Sequence, residues 1–74
     1  MKNTFIIGGS YKQSSGYIST IIGSFKENDE IIYVATTNRP DCPFMCYWDN
    51  GNCYFYKKND NSTNYKIRAV NKIK

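Results

Sequence analysis

The chain has no histidine and no leucine, only two alanines and two glutamates, and a single tryptophan. Each absence excludes something. Without imidazole, a nucleophile has no ordinary general base, and hydrolase chemistry of the serine or cysteine type is disfavoured. The six acidic residues fall in turn-like stretches beside lysines, which is not the setting of an acid–base pair, so no enzymatic activity is expected and no catalytic residue is assigned. Scarcity of leucine, alanine and glutamate removes the strongest helix formers, while nine isoleucines, seven tyrosines and four phenylalanines favour strands. An all-β chain is expected. At 74 residues it forms one small domain, 1–74, with little surplus stability.

Long apolar runs are also lacking. None approaches the roughly 18 residues of a spanning helix, and the N-terminal stretch meets Gly8-Gly9-Ser10 too soon to be a signal peptide. The expected compartment is therefore the cytoplasm, with no membrane partner. Three cysteines agree, because small secreted domains usually pair an even set.

What is present is punctuation at short intervals. Turn residues cluster at Gly8-Gly9, Ser14-Ser15-Gly16, Lys26-Glu27-Asn28-Asp29, Asn38-Arg39-Pro40-Asp41, Asn50-Gly51 and Asn59-Asp60-Asn61-Ser62. Between them lie six strand-length segments: 3–8, 17–25, 30–37, 44–49, 52–58 and 64–72. The expected architecture is a small antiparallel meander or barrel of five or six strands. One segment has a second reading: Tyr17, Ile18, Ile21, Ile22 and Phe25 recur with helical spacing, so a helix at about 15–26 would make the fold α+β.

The sharpest local signal is Asn50-Gly51, suited to a two-residue type I′ hairpin. That turn sets a register in which Trp48 faces Cys53, Tyr47 faces Tyr54 and Cys46 faces Phe55. Phe44, Cys46, Trp48, Cys53 and Phe55 then share one face, and Met45, Tyr47, Tyr54 and Tyr56 the other. The first face, free of phenols that need partners, is the expected core. The tyrosine face is either a second packing layer or an exposed binding patch.

Three features could carry chemistry. Cys42, Cys46 and Cys53 fall short of the four ligands of a structural zinc site, so no metal is expected, and the reading is buried reduced thiols. Cys46 and Cys53 share a face but lie diagonally, poor geometry for a disulfide. The stretch from Phe5 to Gly16 lacks both nucleotide-loop spacings, yet Gly9-Ser10-Tyr11-Lys12-Gln13-Ser14-Ser15 resembles the phosphate-cradling loop of flavodoxin-like FMN reductases. That resemblance implies FMN binding by a truncated relative; the alternative is a Gly/Ser hairpin turn, with no cofactor. Charge is uneven. Residues 1–56 carry a net −1, and residues 57–74, with Lys57, Lys58, Lys66, Arg68, Lys72 and Lys74 against Asp60, carry +5. The lysines of the last segment either guard a sheet edge or form a cationic stripe beside the tyrosines, suited to phosphates with bases stacked on phenols.

Pro43-Phe44-Met45-Cys46-Tyr47-Trp48-Asp49-Asn50-Gly51, continuing to Tyr54-Phe55-Tyr56, resembles the strand–turn–strand pattern of small SH3-like β-barrel accessory proteins of phages and mobile elements. The resemblance covers about a third of the chain and carries no catalytic residues. It implies a compact barrel that binds and modulates or inhibits a host protein, a defence factor among the candidates. The expected function is thus a non-enzymatic binding module with contacts at Met45, Tyr47, Tyr54 and Tyr56 and a basic rim of Lys57, Lys58, Lys66 and Arg68. The alternative is a nucleic-acid-binding β-barrel using the same aromatic face and the C-terminal basic segment. Self-association of the tyrosine face is a separate expectation.

Overall fold

The structure, a computed structural model, describes residues 5–74. It is all-β: β1 (Ser10–Lys12), β2 (Ile18–Glu27), β3 (Glu30–Arg39) and β4 (Cys42–Trp48) form one antiparallel sheet in the order β1-β2-β3-β4. The strands follow one another as a meander, and the sheet is open rather than closed into a barrel. The only helical turn among the described residues is a 3-10 turn at Ala69–Asn71.

Four strands form where five or six were expected. Of the expected 3–8 strand, residues 3 and 4 lie outside the described residues. Residues 6–9 make a tight turn, with the Gly9 N–H donating to the Ile6 carbonyl at 2.8 Å and Gly8 at φ +90°, a position that a type II turn reserves for glycine. The Gly/Ser stretch that resembled a flavin loop supplies β1, and no helix follows it, so the doubly wound architecture of that family is not this fold. Segment 52–58 forms no strand and pairs with the sheet ladder only as an isolated bridge at Cys53, and 64–72 is mostly irregular.

Segment 17–25 is a strand, and its helix-like spacing has a structural cause. Register shifts between Ile21 and Gly23, where an extra residue bulges out of the β2–β3 ladder. A bulge slips the alternation by one position, so a period of two turns into adjacent apolar pairs. The type I′ geometry expected at Asn50-Gly51 occurs instead between β2 and β3, where Asn28 and Asp29 both take positive φ, 50° and 64°, and Glu27 pairs with Glu30.

One face of the sheet carries the core: Ile21 from β2, Tyr33 and Ala35 from β3, and Met45 and Tyr47 from β4 pack with Phe5, Tyr11, Cys53 and Ile67. Phe5 makes edge-on ring contacts with Tyr11 and Tyr33, at 5.0 and 5.3 Å between centroids. The lid over this face is irregular chain, and side chains satisfy its backbone. Asn52, nearly fully buried, donates to the Lys58 carbonyl at 2.7 Å and accepts from Arg68 at 2.9 Å. Arg39 pins the other end: its guanidinium lies between the rings of Tyr17 (4.7 Å) and Tyr65 (4.4 Å) and donates to Gln13 Oε1 and Ser15 Oγ.

Gly51 is where lid and sheet come closest. Its φ is +88°, its N–H donates to the Trp48 carbonyl, its carbonyl accepts from the Ile67 N–H, and a Cβ there would collide with the Ile67 carbonyl. Gly8 also has positive φ but faces open space. In urea unfolding followed by Trp48 fluorescence, Gly8→Ala is expected to cost about 1–2 kcal/mol. Gly51→Ala, adding a backbone collision to the same strain, is expected to cost on the order of 4 kcal/mol or more. Equal losses would contradict the close approach.

Candidate functional site: the outer face of the sheet

The hairpin at Asn50-Gly51 is present in a register one residue away from that expected. Tyr47 bridges Cys53, the Trp48 N–H donates to the Asn52 carbonyl and the Tyr54 N–H to the Cys46 carbonyl, each at 2.9 Å. Five residues, 48–52, therefore make the loop. A slip of one residue exchanges the faces of a strand. Met45, Tyr47 and Cys53 point into the core, while Phe44, Cys46 and Trp48 turn outward. Of the expected core face Cys53 is interior, but Phe44, Cys46 and Trp48 lie on the outer face, and the expected contacts Met45 and Tyr47 are interior side chains.

Tyr47 is inward because its hydroxyl has partners there. It is fully buried, its O–H donates to the Tyr65 carbonyl at 2.7 Å, and Ser19 Oγ lies 2.8 Å away. With the phenol proton committed to Tyr65, the Ser19 hydroxyl donates to Tyr47, and Gln13 Nε2 donates to Ser19 at 2.8 Å. Burial pushes the Tyr47 phenol far above its ordinary value of 10.0, opposed in part by the Ser19 hydrogen bond.

On the outer face, cross-strand pairing places Thr20, Gly23 and Phe25 of β2 beside Thr36, Val34 and Ile32 of β3, and these beside Phe44, Cys46 and Trp48 of β4. None of the nine is charged. One end of this face is closed. Ile32 is fully buried between Phe25 and Trp48, and the Tyr54 ring reaches both neighbours, at 6.4 and 4.9 Å. The Tyr54 hydroxyl donates to the Glu27 carboxylate, and Trp48 Nε1 donates to the Tyr56 carbonyl at 2.9 Å. The other end is open, with Phe44 63% exposed, and at the closed end Phe55, packed against Tyr54, is itself 68% exposed. Ile22, at the bulge, is exposed too.

The remaining sequence-derived positions divide. Tyr54 is half-buried on the outer face and Tyr56 is exposed beside it. Lys57 is exposed, whereas Lys58 is ion-paired with Glu30 and with Asp49 at 3.3 Å. The carboxylates hold the Lys58 ammonium above its usual range, Glu30 contributing most. Lys66 donates to the Asn61 carbonyl, and Arg68 to the carbonyls of Asn50 and Ile67 and to Asn52. Arg68 is thus part of the lid. The residues missed by sequence reasoning are Phe25, Phe44 and Phe55; the last two were placed in the core by the slipped register.

Cys46 and Cys53, expected on one face, lie on opposite faces of the sheet. Cys53 Sγ sits 3.3 Å from Met45 Sδ in the core, and the Cys42 thiol donates to the Phe44 carbonyl at 3.1 Å. All three are free, but only Cys53 is buried as expected, Cys42 and Cys46 being half-buried near the surface, and desolvation raises the thiols of Cys46 and Cys53. Among the described residues no group of three or more Cys, Asp or Glu could hold a metal ion, and no helix is long and apolar enough to cross a membrane.

Fold and site define a small, open, antiparallel sheet protein with one buried face and one partly exposed face that is free of charge at nine adjoining positions. The chain matches no known protein family, no curated protein and no solved structure.

The raised thiols of Cys46 and Cys53 and the buried Tyr47 phenol give the stability a definite pH dependence. Their ordinary values are 9.0 and 10.0, and all three are raised in the folded chain. The folded state then holds protons that the unfolded state releases, so stability is retained below about pH 9 and falls as pH rises beyond it. Tyr47→Phe, which leaves the Tyr65 carbonyl and the Ser19 hydroxyl short of a partner, is expected to cost about 1–3 kcal/mol at neutral pH. Its unfolding midpoint is expected to fall less steeply than that of the parent above pH 10; an equal slope would contradict the buried phenol.

Proposed function

We propose that the chain is a non-enzymatic binding module that engages a protein partner through its outer sheet face. The observation that carries this reading is the absence of charge at nine adjoining positions, together with the exposure of Phe44 and Phe55. The solvent side of an antiparallel sheet is ordinarily polar, and a contiguous exposed apolar patch marks an interaction surface. Phe25, Trp48 and Tyr54, locked by mutual ring contacts, give that surface a rigid floor, so binding requires little further ordering.

A protein fits better than a nucleic acid. Of the four basic residues expected at the rim of this face, Lys58, Lys66 and Arg68 spend donors on carboxylates and carbonyls of the chain itself, which leaves Lys57 alone to meet phosphates there. Tyr54 and Tyr56 remain contact residues in this reading, with Lys57 at the rim, and Phe44 and Phe55 replace Met45 and Tyr47. A cytoplasmic accessory protein of phage type, acting on a host factor, is the biological setting that the hairpin resemblance suggests.

Phe44→Ser combined with Phe55→Ser removes exposed apolar area without opening the core. Immobilised parent chain, incubated with nuclease-treated lysate of its source cell, is expected to retain a stoichiometric protein that the double variant loses, with the unfolding midpoint unchanged. Equal retention by both, or retention that vanishes with nuclease, would contradict the proposal.

A further inference from the structure

At the end of the sheet away from the β2–β3 hairpin, a cleft of about 320 Å³ opens between β1 and the 3-10 turn, lined by Lys12, Gln13, Val70, Asn71, Lys72 and Ile73. We propose that this corner docks on an anionic phospholipid surface, with Lys12 and Lys72 each meeting lipid phosphates and the side chains of Val70 and Ile73 entering the boundary with the acyl chains. The proposal is independent of the outer-face reading, since it uses a different surface.

The first support is uncompensated charge. Among the described residues neither Lys12 nor Lys72 has an ion-pair or side-chain hydrogen-bond partner, whereas Arg39, Lys58, Lys66 and Arg68 are all engaged. Glu27, Asp29 and Glu30 gather at the hairpin tip. Lys12 pairs with Ile18, nine residues before Glu27 along β2, so the acids lie roughly 30 Å away, beyond effective screening distance. Asp41, at the near end, is held by Arg39 at 3.3 Å.

The second support is the kind of apolar group set among these cations. Val70 is 89% exposed and Ile73 52%, and the turn bearing exposed Ile6 and Ile7 meets Lys72 at Gly9. Gly9 makes the junction: a Cβ there would lie 3.0 Å from the Ile6 carbonyl oxygen and 3.2 Å from Lys72 Cε, so the lysine stem packs across the glycine. Backbone pairing keeps the corner rigid, with Ser10 bonded to both Ile73 and Lys74 at 2.8 Å. Exposed aliphatic side chains ringed by lysines suit an anionic membrane interface. Base stacking needs aromatic rings, and the cleft has none, which favours lipid over nucleic acid.

The test is co-sedimentation of the full chain with vesicles of phosphatidylcholine alone and of phosphatidylcholine containing phosphatidylserine, at near-physiological salt. Binding is expected only with the anionic lipid. Lys12→Gln with Lys72→Gln should weaken it by about 25-fold, roughly fivefold for each lysine. Val70→Ser with Ile73→Ser should weaken it about tenfold or more. All four residues are exposed, so unfolding midpoints should not change. Equal binding to both vesicles, no binding to either, or indifference to either pair of substitutions would overturn the proposal. So would tighter, lysine-dependent binding to a single-stranded oligonucleotide than to the anionic vesicles.

Discussion

A phenol with no access to water has to find its hydrogen-bond partners inside the protein, and the placement of the Tyr47 hydroxyl organises much of this molecule. Gln13, Ser19, Tyr47 and the Tyr65 carbonyl form one donor-to-acceptor chain that starts beside β1, crosses β2 and β4 and ends in the lid. An unmade bond in this chain would leave a buried polar group uncompensated, so its geometry is selected strongly. Arg39 extends it toward the surface through Gln13 Oε1 and Ser15 Oγ. With Tyr47 fixed inward, Met45 follows it into the core by alternation, and Phe44, Cys46 and Trp48 have only the outer face left to occupy.

This division produces two clusters of different character. The inner one is closed by irregular chain whose backbone is satisfied by Asn50, Asn52 and Arg68, so its cover depends on side-chain hydrogen bonds more than on regular structure. The outer one is covered only at one end, by Tyr54 across Phe25 and Trp48. In so small a domain neither cluster alone supplies much stability, which makes the uncovered aromatic end a costly feature to maintain for packing alone. Its exposure is the physical basis for reading it as a contact surface.

Composition made the fold class legible. Lack of leucine and alanine, abundant isoleucine and tyrosine, and regular turn clusters lead to an antiparallel meander, and β2, β3 and β4 lie close to their expected positions. The site was less legible because it depends on a single register. Asn50-Gly51 has the composition of a two-residue turn, but Gly51 has to approach Ile67, and the loop takes five residues to let it. The pairing partner of Tyr47 thereby moves from Tyr54 to Cys53, and every side chain of β4 changes face. Local turn chemistry was overridden by a contact sixteen residues distant, which no window around the turn contains. The Ile21–Gly23 bulge had a similar effect on β2, imitating a helical stripe. The last segment has the alternation of a strand, yet its Arg68 and Ile67 are tied to the 50–52 loop, and only residues 72–74 pair with the β1 backbone.

The account rests on the Tyr47–Cys53 register, and proton NMR reads it directly. A non-hydrogen-bonded antiparallel pair brings its α-carbons to about 4.5 Å, close enough for a strong cross-strand Hα–Hα Overhauser effect. That signal is predicted between Tyr47 and Cys53, with the Trp48 and Tyr54 amides protected from exchange. A strong Hα–Hα signal between Trp48 and Cys53 instead would mean a two-residue turn, an inward Trp48 and an outward Tyr47, and would contradict both the core and the outer face described.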